Sequence, residues 1–151
     1  MMLRKFLGAG WGNERRKDMQ DQISIEVKDC NWNKDVFSLS SGGEDSSITF
    51  YKDNMKKIKK IKTVKISDDE FNKILDTIEN LDYSLIYKEQ PCELGFDGWS
   101  LICTVRTGLT TLSIEVWCPE KKENNSETNK MIEICEYVFS LMNYKIDPFC
   151  P

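Results

Sequence analysis

The chain has 151 residues, 40% hydrophobic and 30% charged, and its 21 basic residues against 25 acidic ones leave a net charge of −4. That length fits one domain able to bury roughly 68–70% of the surface its unfolded chain exposes, and the composition is globular rather than disordered. The acidic balance disfavours general nucleic-acid binding, where basic charge drives affinity, and the absence of histidine excludes Ser-His and Cys-His nucleophile pairs and any histidine-ligated metal site within the chain.

At the N-terminus, Arg4 and Lys5 precede the apolar, glycine-rich run Phe6 to Gly12, which Asn13 to Asp18 end in charge. The run is too short for the apolar core of a signal peptide. Residues 1–20 are expected to form a mobile or docked arm, and residues 21–151 a single domain. No apolar stretch approaches the ~18–20 residues that span a bilayer, so the expectation is a cytoplasmic protein with no membrane partner.

Ile23, Ile25 and Val27 alternate with Ser24, Glu26 and Lys28, the pattern of a half-buried strand. Asp35 to Ser40 gives a second strand with Phe37 and Leu39 on one face. The tract from Ser40 to Ser47 reads as a loop, and Ile48 and Phe50 alternate with Thr49 and Tyr51 in a third strand that ends at the Asp53-Asn54 turn signal. Residues 56–66 interleave Lys56, Lys57, Lys59, Lys60, Lys62 and Lys65 with Ile58, Ile61, Val64 and Ile66. The spacing is not strictly two, so a strand here requires a bulge or register change. Such a basic stretch is able to bind phosphate; its plainer reading is an edge strand that lysines guard against pairing.

Ser67-Asp68-Asp69-Glu70 is a capping box, and Phe71, Ile74, Leu75, Ile78 and Leu81 follow at helical spacing, which predicts an amphipathic helix over 68–81. Its acidic first turn suits the helix dipole without invoking a metal. Tyr83 to Lys88 reads as a short extended segment ended by Pro91. After the turn Gly95 to Gly98, Trp99, Leu101, Cys103 and Val105 share one strand face, Thr107-Gly108 turns the chain, and Leu112, Ile114 and Val116 form the return strand opposite Ser113, Glu115 and Trp117. Pro119 stops that strand. A polar loop over 120–129 holds the sequon Asn124-Asn125-Ser126, which has meaning only in a eukaryotic secretory route. The last helix is expected over 128–143, with Met131, Cys135, Val138, Phe139 and Met142 as its stripe, widened by Ile132, Ile134 and Leu141. Regular structure ends at Asp147-Pro148. The order predicts an α+β fold: an antiparallel sheet with two main helices packed on one face.

The six cysteines, Cys30, Cys92, Cys103, Cys118, Cys135 and Cys150, include no C-x-x-C pair. A zinc ribbon and a thioredoxin-type motif therefore lack support, and reduced thiols are expected. Gly8 to Gly12 lacks the G-x-G-x-x-G spacing and follows no strand. No phosphate-binding loop or nucleophile elbow is present. The expectation is a non-enzyme without cofactor or metal, an acid/base carboxylate pair assembled only in space being the rival chemistry.

What remains is surface. Trp32, Trp99 and Trp117 have the acidic neighbours Asp35, Asp97 and Glu115. Exposed tryptophan beside carboxylates suits a protein interface; the alternative is that these rings cap the core, the reading favoured for Trp99. Trp117 opposes the apolar phase of its strand and is the better anchor. The candidate partner-binding residues are Glu44, Asp45, Asp97, Glu115 and Trp117.

Asp97-Gly98-Trp99, a hairpin, Trp117-Cys118-Pro119, a polar loop and a helix rich in Ile, Cys, Phe and Leu together resemble the C-terminal part of small bacterial proteins. The half from Ile48 to Leu81, a strand pair followed by Ser-Asp-Asp-Glu-Phe, is similar to immunity proteins encoded beside secreted polymorphic toxins. That resemblance implies a small acidic protein that neutralises a cognate toxin by binding it. Secretion chaperones, which hold an unfolded effector, are a second family similar in size, charge and element order.

Overall fold

A computed structural model describes residues 22–42, 45–90 and 98–146. The expected N-terminal arm lies outside the described residues. Within them the chain forms β1 (Gln22–Lys28), β2 (Lys34–Gly42), β3 (Asp45–Asp53), β4 (Ile58–Ile66), helix α1 (Asp68–Glu79), helix α2 (Tyr83–Glu89), β5 (Ser100–Thr107), β6 (Thr110–Trp117) and helix α3 (Ser126–Leu141). The six strands make one antiparallel sheet in the order β4-β3-β2-β1-β5-β6. The first four strands form a meander, and the β5–β6 hairpin returns to the free edge of β1. The α+β architecture expected from the sequence is the one observed.

Period-two alternation explains which side of the sheet is covered. Ile23, Ile25, Val27, Phe37, Leu39, Ile48, Phe50, Leu101, Cys103, Val105 and Val116 are all buried on one face. There they meet Phe71, Ile74, Leu75 and Ile78 of α1 and Met131, Cys135, Val138 and Phe139 of α3 in one core. Each such side chain contributes about 1.5–3 kcal/mol on burial. Phe37 is the hub: its ring stacks on Phe50 at 4.8 Å, tilts against Phe139 at 5.0 Å and meets Tyr144 edge-on at 4.7 Å. The Tyr144 hydroxyl donates to Asp35 Oδ2 at 2.5 Å, and Lys62 Nζ donates to the Met142 carbonyl. These two bonds hold the segment after α3 against the sheet. Trp99 packs against the core, as its strand phase implies.

The lysine-rich segment is β4, at the sheet edge, and it carries the required irregularity. Phe50 faces Lys62 but Tyr51 faces Lys60, so Ile61 is the extra residue of a bulge. Ser67 caps α1, its Oγ accepting from the Glu70 N–H at 3.0 Å.

Two expectations about secondary structure are corrected. The tract 40–47 is not merely a loop: β2 runs to Gly42 and β3 begins at Asp45, with Ser40 facing Ser47 and Ser41 facing Ser46. Ser46 is fully buried and donates to Asp68 Oδ1 at 2.7 Å, tying the hairpin to the first turn of α1. Residues 83–88 are helical rather than extended. A seven-residue helix is marginal alone, and α2 is held from outside. Asp82 Oδ1 accepts from the Leu85 N–H, and Glu127 of α3 accepts from the Asp82 N–H at 2.9 Å. Reciprocally, Glu89 of α2 accepts from the N–H and the hydroxyl of Thr128, both at 2.8 Å, and so satisfies donors in the first turn of α3.

Among the described residues, the expectation of reduced cysteines is corrected at Cys30. Cys30 is disulfide-bonded, whereas Cys103, Cys118 and Cys135 are free thiols. Cys103 and Cys135 are fully buried and act as small hydrophobes. A hydrogen bond with Cys103, together with burial, pushes the Cys135 thiol well above its ordinary pKa, which makes it a poor nucleophile. No described helix is long and apolar enough to cross a membrane.

Candidate partner-binding surface

All three described helices contribute buried residues to the core on one side, so among the described residues the other side of the sheet carries no helix and is here called its open face. Strand register sets its chemistry row by row. The central row reads Thr63, Thr49, Ser38, Ser24, Thr104, Ser113 from β4 to β6, a hydroxyl on every strand. Thr49 and Thr63 hydroxyls lie 3.2 Å apart and those of Thr104 and Ser113 2.9 Å apart, so neighbours bond across the ladder. One turn of the pleat further along, Lys60, Tyr51, Val36, Glu26, Ile102 and Glu115 form the next row. The row beyond ends in Lys34, Lys28, Ser100 and Trp117.

Glu115 and Trp117 are therefore two residues apart on one face of β6, at one corner of the open surface. Trp117 is half-buried. Its indole lies over Gly98, where a Cβ would stand 2.7 Å from Nε1 and 2.8 Å from Cε2, and 2.6 Å from the Sγ of Cys118. Only glycine allows this approach. The Cys118 N–H donates to the Trp99 carbonyl at 2.6 Å, extending the ladder past the strand end. Beside this corner, a hollow of about 250 Å³ is bordered by Glu89, Trp117, Cys118, Lys122 and Thr128. Of the two carboxylates in its lining, Glu89 is already engaged by Thr128, and Glu120 is the other.

The corner is not a bare negative patch. Glu115 Oε1 is 2.8 Å from Lys28 Nζ, and Glu26 is 3.5 Å from Lys34. Partial burial disfavours the Glu115 carboxylate, but hydrogen bonds from Lys28 and Ser100 and the charges of Lys28 and Lys34 outweigh it and hold its pKa below the usual carboxylate value. Lys28 also lies 4.7 Å from the ring centroid of Trp32, a cation–π contact. Trp32 is 61% exposed, far more than a core-capping tryptophan. Lys28 thus couples Glu115 to a second aromatic group.

Asp45 is elsewhere. It starts β3 at the opposite end of the sheet and pairs with Lys65 at 3.3 Å. From Glu115 it is separated by six residue rows along the strands, roughly 20 Å, and by four strand spacings, roughly 19 Å. Glu44 and Asp97, the other residues expected at the interface, lie outside the described residues. Glu115 and Trp117 are brought together; Asp45 does not join them.

Nothing in the alternation of β1 marks Lys28 as a partner of Glu115, and Trp32 lies outside any strand phase. The signal for Trp32 was present in Asp29-Cys30-Asn31-Trp32-Asn33. Asp29 Oδ1 accepts from the N–H groups of Asn31 and Asn33, each at 2.9 Å, which places Trp32 at a turn tip with φ 67°. Among the described residues, no group of three or more Cys, Asp and Glu side chains is placed to hold a metal ion.

No family model matches the sequence, and no curated protein matches it.

Proposed function

We propose that this chain is an immunity protein, one that binds and neutralises a cognate secreted toxin in bacterial competition and docks it on the open sheet face at the Trp117 corner. The observation that supports this is the asymmetry of the sheet. One face is consumed by the described helices, while the other presents a hydrogen-bonded sheet six strands wide, with Trp117 at a corner and hydroxyls along its centre. A broad, hydrogen-bonding surface with an aromatic anchor suits a macromolecule, whereas small molecules favour concave sites. Because Lys28 and Lys34 neutralise Glu115 and Glu26, affinity here rests on aromatic area and hydrogen bonds more than on net negative charge.

The test is co-expression with the product of the neighbouring gene, the physical source of a cognate toxin. Growth rescue and co-purification are expected. A toxic neighbour that this chain neither rescues nor binds refutes the immunity reading. Rescue that persists in a folded Glu115→Ala/Trp117→Ala variant leaves the function standing and refutes this face. A cytoplasmic site of action goes with the proposal, and Cys30 decides it. Disulfides persist in oxidising compartments and Cys30 is disulfide-bonded, so trapping thiols in intact cells by acid and then alkylating them reads the compartment, a free Cys30 marking a reducing one. If Cys30 is protected there, the protein works outside the cytoplasm.

A further inference from the structure

A second surface lies on the opposite flank of the sheet. β4 pairs with β3 alone among the described strands, so one side of its backbone is unpaired. At its start, Trp32, Met55 and Ile58 are 61%, 71% and 68% exposed. With Lys34, Lys56, Lys57 and one carboxylate, Asp53, they border a hollow of about 550 Å³. Neither turn that builds it is loose. Asp29 fixes the Trp32 turn, while Asp53 Oδ1 accepts from the Met55 N–H and Asn54 Oδ1 accepts from the N–H groups of Lys56 and Lys57. Trp32 and Met55 are both held at positive φ, 67° and 71°, a region in which bulky residues are rare.

Charge on this flank runs against the chain as a whole. The net charge is −4, yet β4 and the turn before it carry six lysines. Lys62 is used by the Met142 carbonyl and Lys65 by Asp45. Lys56, Lys57, Lys59 and Lys60 are exposed and form no ion pair among the described residues. Guarding an edge against aggregation explains lysines. It does not explain three large apolar side chains exposed together at the end of that edge.

We infer that the β4 edge and the Trp32–Met55–Ile58 hollow receive an acidic, extended segment of a partner protein, added to the sheet as a further strand. Backbone groups of β4 pair with the incoming strand. Its carboxylates meet Lys56, Lys57, Lys59 and Lys60, and an aromatic or long aliphatic side chain enters the hollow against Trp32, Met55 and Ile58. Unpaired strand edges select a peptide over other polyanions, since nucleic acid and lipid headgroups offer no strand ladder. The surface lies at the opposite sheet edge from Trp117, and the two are linked through Lys28, which contacts both Glu115 and Trp32.

The probe is a fluorescein-labelled peptide of about ten residues, alternating glutamate with isoleucine and carrying one terminal tryptophan. Its controls are the same peptide with lysine for glutamate, and one with proline at two alternate positions, which keeps the charge but cannot complete a ladder. Fluorescence anisotropy is expected to show saturable binding to the full chain, weakened about tenfold or more by Lys59→Glu/Lys60→Glu, by Ile58→Asp and by the proline peptide. Amide exchange should slow along β4 when the peptide binds. Trp117→Ala should leave the affinity unchanged, so failure here is separate from failure of the toxin reading. The inference is overturned if the lysine or proline peptide binds as tightly, or if the charge-reversed variant, shown folded by circular dichroism, keeps full affinity. It is equally overturned if oligothymidylate or phosphatidylglycerol vesicles bind and the peptide does not.

Discussion

Gly98→Ala should damage the Trp117 corner through a steric conflict whose size is set by the geometry. The added methyl would stand 2.6 Å from Cys118 Sγ, 2.7 Å from Trp117 Nε1 and 2.8 Å from Cε2. Relaxed contacts are about 3.5–4.0 Å, so the indole must retreat by roughly 0.8–1.3 Å. A tryptophan ring cannot flex to absorb that, and Cys118, held at φ 43° and hydrogen-bonded to Trp99, gives little. Overpacking of this kind costs about 1–3 kcal/mol. Urea unfolding followed by far-UV circular dichroism measures it without relying on tryptophan emission. The control is the same substitution in a Trp117→Ala/Cys118→Ala background, where the obstructing atoms are gone and the cost should fall below about 0.5 kcal/mol. An equal penalty in both backgrounds refutes the proposed contact, and so does no penalty in the native one.

Three further outcomes follow from the packing and charge described above. Glu115 has a lowered folded-state pKa, so its contribution is present above the ordinary carboxylate pKa and is lost as pH falls through the folded value; unfolding midpoints over pH 3–6 should drop more steeply in the wild type than in Glu115→Gln, and parallel curves refute the Lys28 pairing. Glu89→Ala removes both bonds to Thr128 and should cost about 1–2 kcal/mol, with α2 amides losing exchange protection first; uniform loss of protection across the sheet contradicts this. Alkylation of purified, oxidised protein unfolded without reductant should modify Cys103, Cys118 and Cys135 but leave Cys30 unmodified until reductant is added, and immediate labelling of Cys30 refutes the disulfide.

The sequence determined those elements whose signal is local or periodic. Ile23, Ile25 and Val27, and the facing sets on β5 and β6, alternate because one side of each strand meets the core; Ser67 and Glu70 mark a helix start through a bond three residues long. The uneven spacing of 56–66 announced a bulge, because a ladder with an extra residue must break phase. Only the tertiary structure decided what depends on distant partners. Tyr83 to Glu89 contains residues suited to a strand, and it becomes a helix because Glu127 and Glu89 bridge α2 and α3 across about forty positions. The hydroxyl row is six short polar fragments until register aligns them. The same holds for the partner surface: Trp117 showed its outward phase in the alternation of β6, but the Lys28 that neutralises Glu115 and touches Trp32 comes from β1, which enters the neighbourhood of β6 only through β5. Charge on a surface is a property of neighbours in space, and that is the quantity a linear sequence does not carry.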